Sequence, residues 1–252
     1  MVKNSYSDVA AVVLAAGKGT RLKSKPDSLN KVVMPLNGKP MIGYTHELLE
    51  KVGFGQEIFV VGYAKESIQS LFGDKVDYAL QEEQLGTGHA AECGLTKLNP
   101  DIKYVLVLHG DDSAFYPPKV LEDLIEMCRN SNCAMSFLTV YKKDPFGIGR
   151  ILRDEQGFPK EIVEEKNATP EQRNIKEVNL GMYCFKRSFI EKYIKEIDFN
   201  PVANERYLTD IVGIAYKHGF KIEAVSVNNE DYWHGVNTDE QWLLANQRMV
   251  ER

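Results

Sequence analysis

The stretch Val9-Ala10-Ala11-Val12-Val13-Leu14-Ala15-Ala16-Gly17-Lys18-Gly19-Thr20-Arg21-Leu22 decides the fold class. An apolar run from Val9 to Ala15 ends abruptly in a glycine loop that carries two cations. A run of that length fits a strand buried on both faces, and such strands belong to parallel sheets covered by helices. The glycines let backbone N–H groups turn toward a bound anion, and Lys18 and Arg21 place positive charge beside it. Two well-known phosphate loops do not fit. A dinucleotide fingerprint needs a glycine where Leu22 stands, and a P-loop needs four residues between its first glycine and a Gly-Lys pair.

Outward from this run the alternation continues. Glu57–Val61, Val76–Leu80, Tyr104–Leu108 and Ala134–Val140 read as strands, with Met41–Val52, Lys65–Phe72, Thr87–Leu98 and Pro118–Arg129 as helices among them. Pro40 marks the start of the first helix. The pattern predicts an α/β fold with a parallel sheet flanked by helices and ligands at the carboxyl ends of its strands. Both the Gly17 loop and the Gly110–Asp111 pair fall at such ends. From about Asp144 the texture changes. Gly147, Gly149, Gly157 and Pro159 punctuate short segments, and Glu164–Lys176 is a polar excursion. Strand Val178–Phe185, helices Ser188–Ile197 and Leu208–Lys217, strand Lys221–Val227 and helix Thr238–Val250 then follow. We read a single domain over residues 1–252, its halves dividing near 143/144, with the second half forming a lid region that returns to the same sheet.

A formal net charge of −5 gives no general attraction for nucleic acid or an anionic membrane surface, so neither is expected as a partner. No stretch approaches the roughly 20 apolar residues of a membrane span, and Met1–Asp8 is polar, unlike a signal peptide. A cytoplasmic location is the expectation. Cys93, Cys128, Cys133 and Cys184 form no CxxC pair and read as reduced packing thiols.

The loop from Leu14 to Leu22 resembles the signature of the sugar nucleotidyltransferase family. Further segments sharpen the resemblance toward the bacterial N-acetylglucosamine-1-phosphate uridyltransferases: Gln81–Ala90 (QEEQLGTGHA), Asp144–Ile151 (DPFGIGRI), Ile162-Val163-Glu164, Ala168–Arg173 (ATPEQR), Glu177–Gly181 (EVNLG), Tyr207–Ile211 (YLTDI) and Gly235-Val236-Asn237. They occur in the family's order, from about Val9 to Glu251.

The resemblance implies a Rossmann-like, mostly parallel sheet with an inserted sugar-binding lid, and transfer of UMP from UTP to a sugar-1-phosphate, N-acetylglucosamine-1-phosphate first, with Mg²⁺ as cofactor. It implies that Leu14, Ala15, Ala16, Gly17, Gly19, Thr20, Gln81, Gly86, Thr87 and Gly110 hold the nucleotide. Lys18 and Arg21 would face the leaving pyrophosphate, and Lys31 the reacting phosphates. Asp111 and Asn237 would hold the metal, and His109, Gly149, Glu164 and Asn179 the sugar. Gln81 carries a donor and an acceptor suited to a pyrimidine edge. The family's second domain, a left-handed β-helix, is expected to be absent.

Each residue also has a plainer reading. A Gly-Asp pair after a strand is usually a turn, Asn237 could cap the last helix, and most lysines and glutamates are solvated. Order and spacing together tip the matched positions toward function. Where the family usually has Pro-Lys, this chain has Asn30-Lys31. Its Tyr-Gly-Asp becomes His109-Gly110-Asp111, followed by Asp112-Ser113-Ala114. These departures keep another sugar, such as glucose-1-phosphate, as an alternative. A non-catalytic nucleotide-sugar-binding subunit is a second alternative. Oligomeric state, a homo-oligomer included, stays open.

Overall fold

Strand β1 (Tyr6–Ala15) is the centre from which the sheet is built. Its odd residues Val9, Ala11 and Val13 pack into one core and its even residues Ala10 and Val12 into another, all at 0% exposure. Period-two alternation with both faces apolar requires cover on both sides. The computed structural model describes residues 6–201 and 203–251, so the polar start expected from Met1 lies outside the described residues as far as residue 5.

After a short hairpin, β2 (Pro35–Leu36) and β3 (Lys39–Pro40), come α1 (Met41–Val52), β4 (Phe54–Val61), α2 (Lys65–Phe72), β5 (Asp77–Leu80), α3 (Thr87–Leu95), β6 (Tyr104–His109), α4 (Pro118–Asn130) and β7 (Met135–Tyr141). The second half holds β8 (Arg150–Arg153), β9 (Pro159–Val163), α5 (Pro170–Arg173), β10 (Glu177–Lys186), α6 (Arg187–Tyr193), α7 (Asp210–Lys217), β11 (Ile222–Ser226) and α8 (Asp239–Val250). Leu48, Leu49, Leu121 and Leu124 of α1 and α4 cover one face. Ala90, Ala91, Ile190, Ile211 and Val212 of α3, α6 and α7 cover the other.

The strand order is β11-β7-β10-β6-β1-β4-β5. The sheet is mostly parallel, as expected, and within this order the exception is β10, which runs antiparallel to both β6 and β7. The reason lies in the lid. β7 ends at the carboxyl edge, and Lys142 N donates to Lys176 O at 2.9 Å, closing the excursion where it began. β10 must therefore start at that edge and run back. The lid itself is more regular than its glycines suggested. β8 and β9 form a hairpin joined to β10 by the Val178↔Arg150 pair, and α5 begins with a capping box between Thr169 and Gln172. The helix expected over Ser188–Ile197 ends at Tyr193 and tightens into a 3₁₀ turn, Ile194–Glu196.

Leu14 pairs with Val60 on one side and His109 on the other, so the glycine loop and the Gly110–Asp111 turn leave the sheet side by side. Cys128, Cys133 and Cys184 are buried free thiols and Cys93 is half-buried, as packing residues should be. Among the described residues no helix is long and apolar enough to cross a membrane.

Candidate active site

At the carboxyl edge of β1, β5 and β6 lies a cavity of about 810 Å³. The whole run from Leu14 to Arg21 lines it, with Lys31, Gln81, Gly86, Thr87, His109, Asp111, Glu164 and Asn237. Gly110, Gly149 and Asn179 are not among its lining residues.

The glycine loop is held by Asn30, whose only sequence signal is its departure from the family's Pro-Lys. Asn30 is 1% exposed, and its Nδ2 donates to Ala15 O (2.9 Å), Tyr63 O (2.8 Å) and Gly17 O (3.3 Å). Its Oδ1 accepts from Val32 N at 3.1 Å, which caps the short 3₁₀ turn bearing Lys31. One side chain thus fastens the loop to the Lys31 turn. The fit is close: a Cβ on Gly19, which has φ +62°, would lie 2.6 Å from Lys31 Cβ. Only glycine meets both demands at that position.

Asn237 arrives from the far end of the chain. Val236, at 0% exposure, sits in a small core with Leu22, Met34, Leu36 and Ala245. Asp239 accepts from the backbone N–H groups of Lys23 and Ser24, and Trp242 Nε1 donates to Pro35 O at 2.7 Å. Thr238, not Asn237, caps α8 by accepting from Gln241 N, which leaves the Asn237 amide for the cavity. There Asn237 Oδ1 accepts from Lys31 Nζ (2.9 Å) and Arg21 Nη2 (3.0 Å). Lys31 is also paired with Asp111. Burial alone would raise the Asp111 carboxyl, but Lys31, His109 and hydrogen bonding hold it below the ordinary carboxylate value.

One carboxylate oxygen and one amide oxygen thus already converge on a cation, the Lys31 ammonium. Hard oxygen donors in small number suit Mg²⁺, which keeps waters and binds substrate phosphates. Among the described residues no group of three or more His, Cys, Asp or Glu could hold a metal, so the thiolate and imidazole cage of a structural zinc finds no counterpart.

Gln81, 3% exposed at the end of β5, donates from Nε2 to Gly86 O at 3.1 Å and lies 3.2 Å from His89 Nδ1. Thr87 opens α3, and its Oγ1 accepts from Leu208 N at 3.0 Å. Arg206 N donates to Leu85 O and Gly88 N to Arg206 O, both at 2.8 Å. Segment 205–208 is thereby zipped onto the loop that carries Gln81 and Gly86, and it contributes Glu205 and Tyr207 to the cavity.

Glu164 follows β9. Burial pushes its carboxyl above the ordinary value, and Thr209 Oγ1, donating to Oε1 at 2.9 Å, offsets part of that. Gly149 stands beside Glu164: a Cβ there would lie 3.7 Å from each carboxylate oxygen and 2.9 Å from Ile162 Cγ2. Asn179 N donates to Gly149 O at 2.9 Å, while its side chain is bonded to Tyr183 Oη (2.6 Å) and Gly181 N (3.2 Å). The β10 register shifts between Asn179 and Tyr183 around Gly181, where a φ of +71° and the 2.8 Å that would separate an added Cβ from His109 Cδ2 exclude a side chain. Burial pushes the His109 pKa down, against the Asp111 charge.

Asp112 is the second residue the sequence reading left without a role. Its buried carboxylate accepts from Trp233 Nε1 (3.1 Å) and Ser113 Oγ (3.3 Å). Burial, then the neighbouring Asp111 charge, pushes it well above the ordinary carboxylate value. Its only sequence signal is the departure from the family pattern at Asp112-Ser113-Ala114.

Comparisons with known proteins bear on the family and the fold. A family model described as the MobA-like NTP transferase domain matches residues 11–173. A protein named "Bifunctional protein GlmU" from Trichlorobacter lovleyi is 41% identical, over 96% of this chain and 52% of its own length. One of the same name from Enterococcus faecalis is 37% identical, over 96% and 52%. The chain thus spans about half the length of the curated relatives it matches. A solved structure assigned as a glucose-1-phosphate thymidylyltransferase from Bacillus anthracis, in complex with a sucrose, superposes with TM-score 0.79 at 20% identity. The superposition covers 97% of this chain and 96% of that one, and it shows the shared fold.

Proposed function

The chain belongs to the family of MobA-like NTP transferase domains, and from that premise we propose that it transfers UMP from UTP to N-acetylglucosamine-1-phosphate, giving UDP-N-acetylglucosamine and pyrophosphate. The observation that carries this reading is the meeting of Lys18, Arg21 and Lys31 with Asp111, Asn237 and Glu164 around one cavity. Cations and hard oxygen donors for phosphates share it with the half-buried Glu164 carboxylate for hydroxyls.

A phosphate oxygen of the sugar-1-phosphate attacks the α-phosphorus of UTP in line, and the bond to the β,γ-pyrophosphate breaks. The nucleophile is already anionic at neutral pH, so no side chain need serve as a base. The obstacle is bringing two polyanions together, and fixed cations remove it by alignment and charge neutralisation. Lys18 and Arg21 receive the charge that develops on the pyrophosphate, and Lys31 sits beside the reacting phosphates. Asp111 and Asn237 hold Mg²⁺, which when bound screens the phosphate charges. With its amide nitrogen bonded to Gly86 O, Gln81 offers the base its oxygen, an acceptor for the N3–H of uracil. Cytosine presents an acceptor there instead, and two acceptors cannot pair.

Glu164, held by Thr209, accepts from sugar hydroxyls. Gly149 and Asn179 act from behind it, leaving room for the carboxylate and fixing the lid strand to β10. His109 stands where the resemblance places Tyr, a specific observation favouring a second reading in which glucose-1-phosphate is the better acceptor.

A panel of sugar-1-phosphates crossed with UTP, CTP and dTTP, read by pyrophosphate release, tests the proposal. We expect UTP with N-acetylglucosamine-1-phosphate to give the highest kcat/KM. UTP should exceed CTP by on the order of a hundredfold or more, as mispaired buried polar groups require. Equal rates with UTP and CTP would overturn the role of Gln81. Strong preference for glucose-1-phosphate would establish the second reading.

A further inference from the structure

Asp111 and Asn237 are engaged in this structure. Lys31 Nζ contacts Asp111 Oδ2 and lies 2.9 Å from Asn237 Oδ1, and the same Asn237 oxygen takes Arg21 Nη2 at 3.0 Å. The Lys31 and Asp111 side chains are 14% and 12% exposed, so little solvent stands between them to screen the pair. We propose that in the nucleotide-free protein Lys31 occupies the metal seat, and that it must leave before a divalent cation can bind. Metal entry and release of the Lys31 ammonium toward the substrate phosphates are then one event. The proposal rests on Asp111 and Asn237 being the metal-holding groups.

Geometry and charge both require the exclusion. Mg²⁺ bound to these oxygens would sit about 2.1 Å from each, on the ground from which the ammonium now reaches both. Among the side chains in direct contact, Lys31 and Arg21 bring two positive charges against the single negative charge of Asp111. A divalent ion added to that set meets repulsion from both cations at a few ångströms. Bound triphosphate reverses the balance by giving Lys31 and Arg21 anionic partners of their own. The ammonium needs only rotation about its flexible stem to turn from one set of oxygens to the other. Metal binding should therefore be weak without nucleotide and strengthened by it, with Lys31 as the reason.

The test uses Mn²⁺ as the probe, titrated into nucleotide-free protein and followed by the EPR signal of the free ion. Lys31→Met keeps the length of the stem and removes the charge. Its affinity for Mn²⁺ should exceed that of the wild type by on the order of tenfold or more, while turnover falls. Equal affinity in a variant whose melting curve shows it folded overturns the proposal. If the variant does not fold, a crystal structure of the wild type with Mn²⁺ and UTP decides. Lys31 Nζ should have left both oxygens, and Mn²⁺ between Asp111 and Asn237 with Nζ still bonded to both overturns the exclusion. The double variant Lys31→Met/Asp111→Asn separates this failure from a failure of the metal assignment. It should lose the Mn²⁺ affinity that Lys31→Met gained, and retention of that affinity would show that Asp111 is not the ligand.

Discussion

Leu14 to Arg21 reaches the cavity as one unbroken run of chain leaving one strand, whereas the wall around Glu164 is assembled from separate segments. Glu164 comes from the end of β9, the Thr209 hydroxyl that orients it from 45 residues further on, and Gly149 and Asn179 from two more stretches. The first wall is mostly backbone and needs one buried clamp, Asn30. The second is mostly side chain, and each member depends on another. On the function proposed above, the backbone cradle would bind what all nucleotides share, and the wall of interdependent side chains would set preference among sugars. Perturbations of the first wall should therefore strike turnover or stability, and perturbations of the second should strike recognition of one substrate.

The largest expected effect is at Asp111. Asp111→Asn keeps the shape and removes the charge, and kcat/KM should fall by about 10²–10³-fold, the scale of losing one electrostatic partner of a transferring phosphoryl group. Steady-state pyrophosphate release measures it. A loss under tenfold in a folded variant would break the assignment of that end of the cavity.

Asn30→Ala comes next. It strips three donor contacts and a cap from buried carbonyls and an N–H, a destabilisation of about 2–3 kcal/mol. For a chain of this size that lowers Tm by roughly 5–10 °C, and KM for the nucleotide should rise with it. Thermal unfolding with and without UTP checks both. An unchanged Tm would show that the loop holds its form without the clamp.

The smallest effect belongs to the side-chain wall. Thr209→Val preserves shape and deletes the hydroxyl that donates to Glu164. The KM for the sugar-1-phosphate should rise about fivefold, as for one hydrogen bond of about 1 kcal/mol, with the KM for UTP unchanged. Equal rises for both substrates would erase the distinction between the two walls.

The same contrast governs what can be read from the chain alone. The apolar run into Gly17 announces a buried strand and an anion loop because the signal is local, and α1 and α2 lie where their periodicity places them, at Met41–Val52 and Lys65–Phe72. The reversal of β10 is not local. It follows from the lid closing at Lys142 and Lys176, which no strand pattern carries. Asn30 and Asp112 show in the sequence only as departures from the family pattern, and their roles appear when three carbonyls are brought around Asn30 and Trp233 reaches Asp112 from 121 positions away. Gly149 and Asn179 were matched by motif, yet both stand behind the cavity surface, since a motif records position in the chain and not exposure to a ligand.

On the function proposed above, this cavity joins UMP to N-acetylglucosamine-1-phosphate. ³¹P NMR of the purified chain with UTP, N-acetylglucosamine-1-phosphate and Mg²⁺ tests it most directly. The sugar monophosphate signal should fall as the diphosphate signals of UDP-N-acetylglucosamine and the signal of pyrophosphate rise in equal amounts. An unchanged sugar monophosphate signal, under conditions where glucose-1-phosphate is consumed or where UTP is bound without turnover, would contradict it.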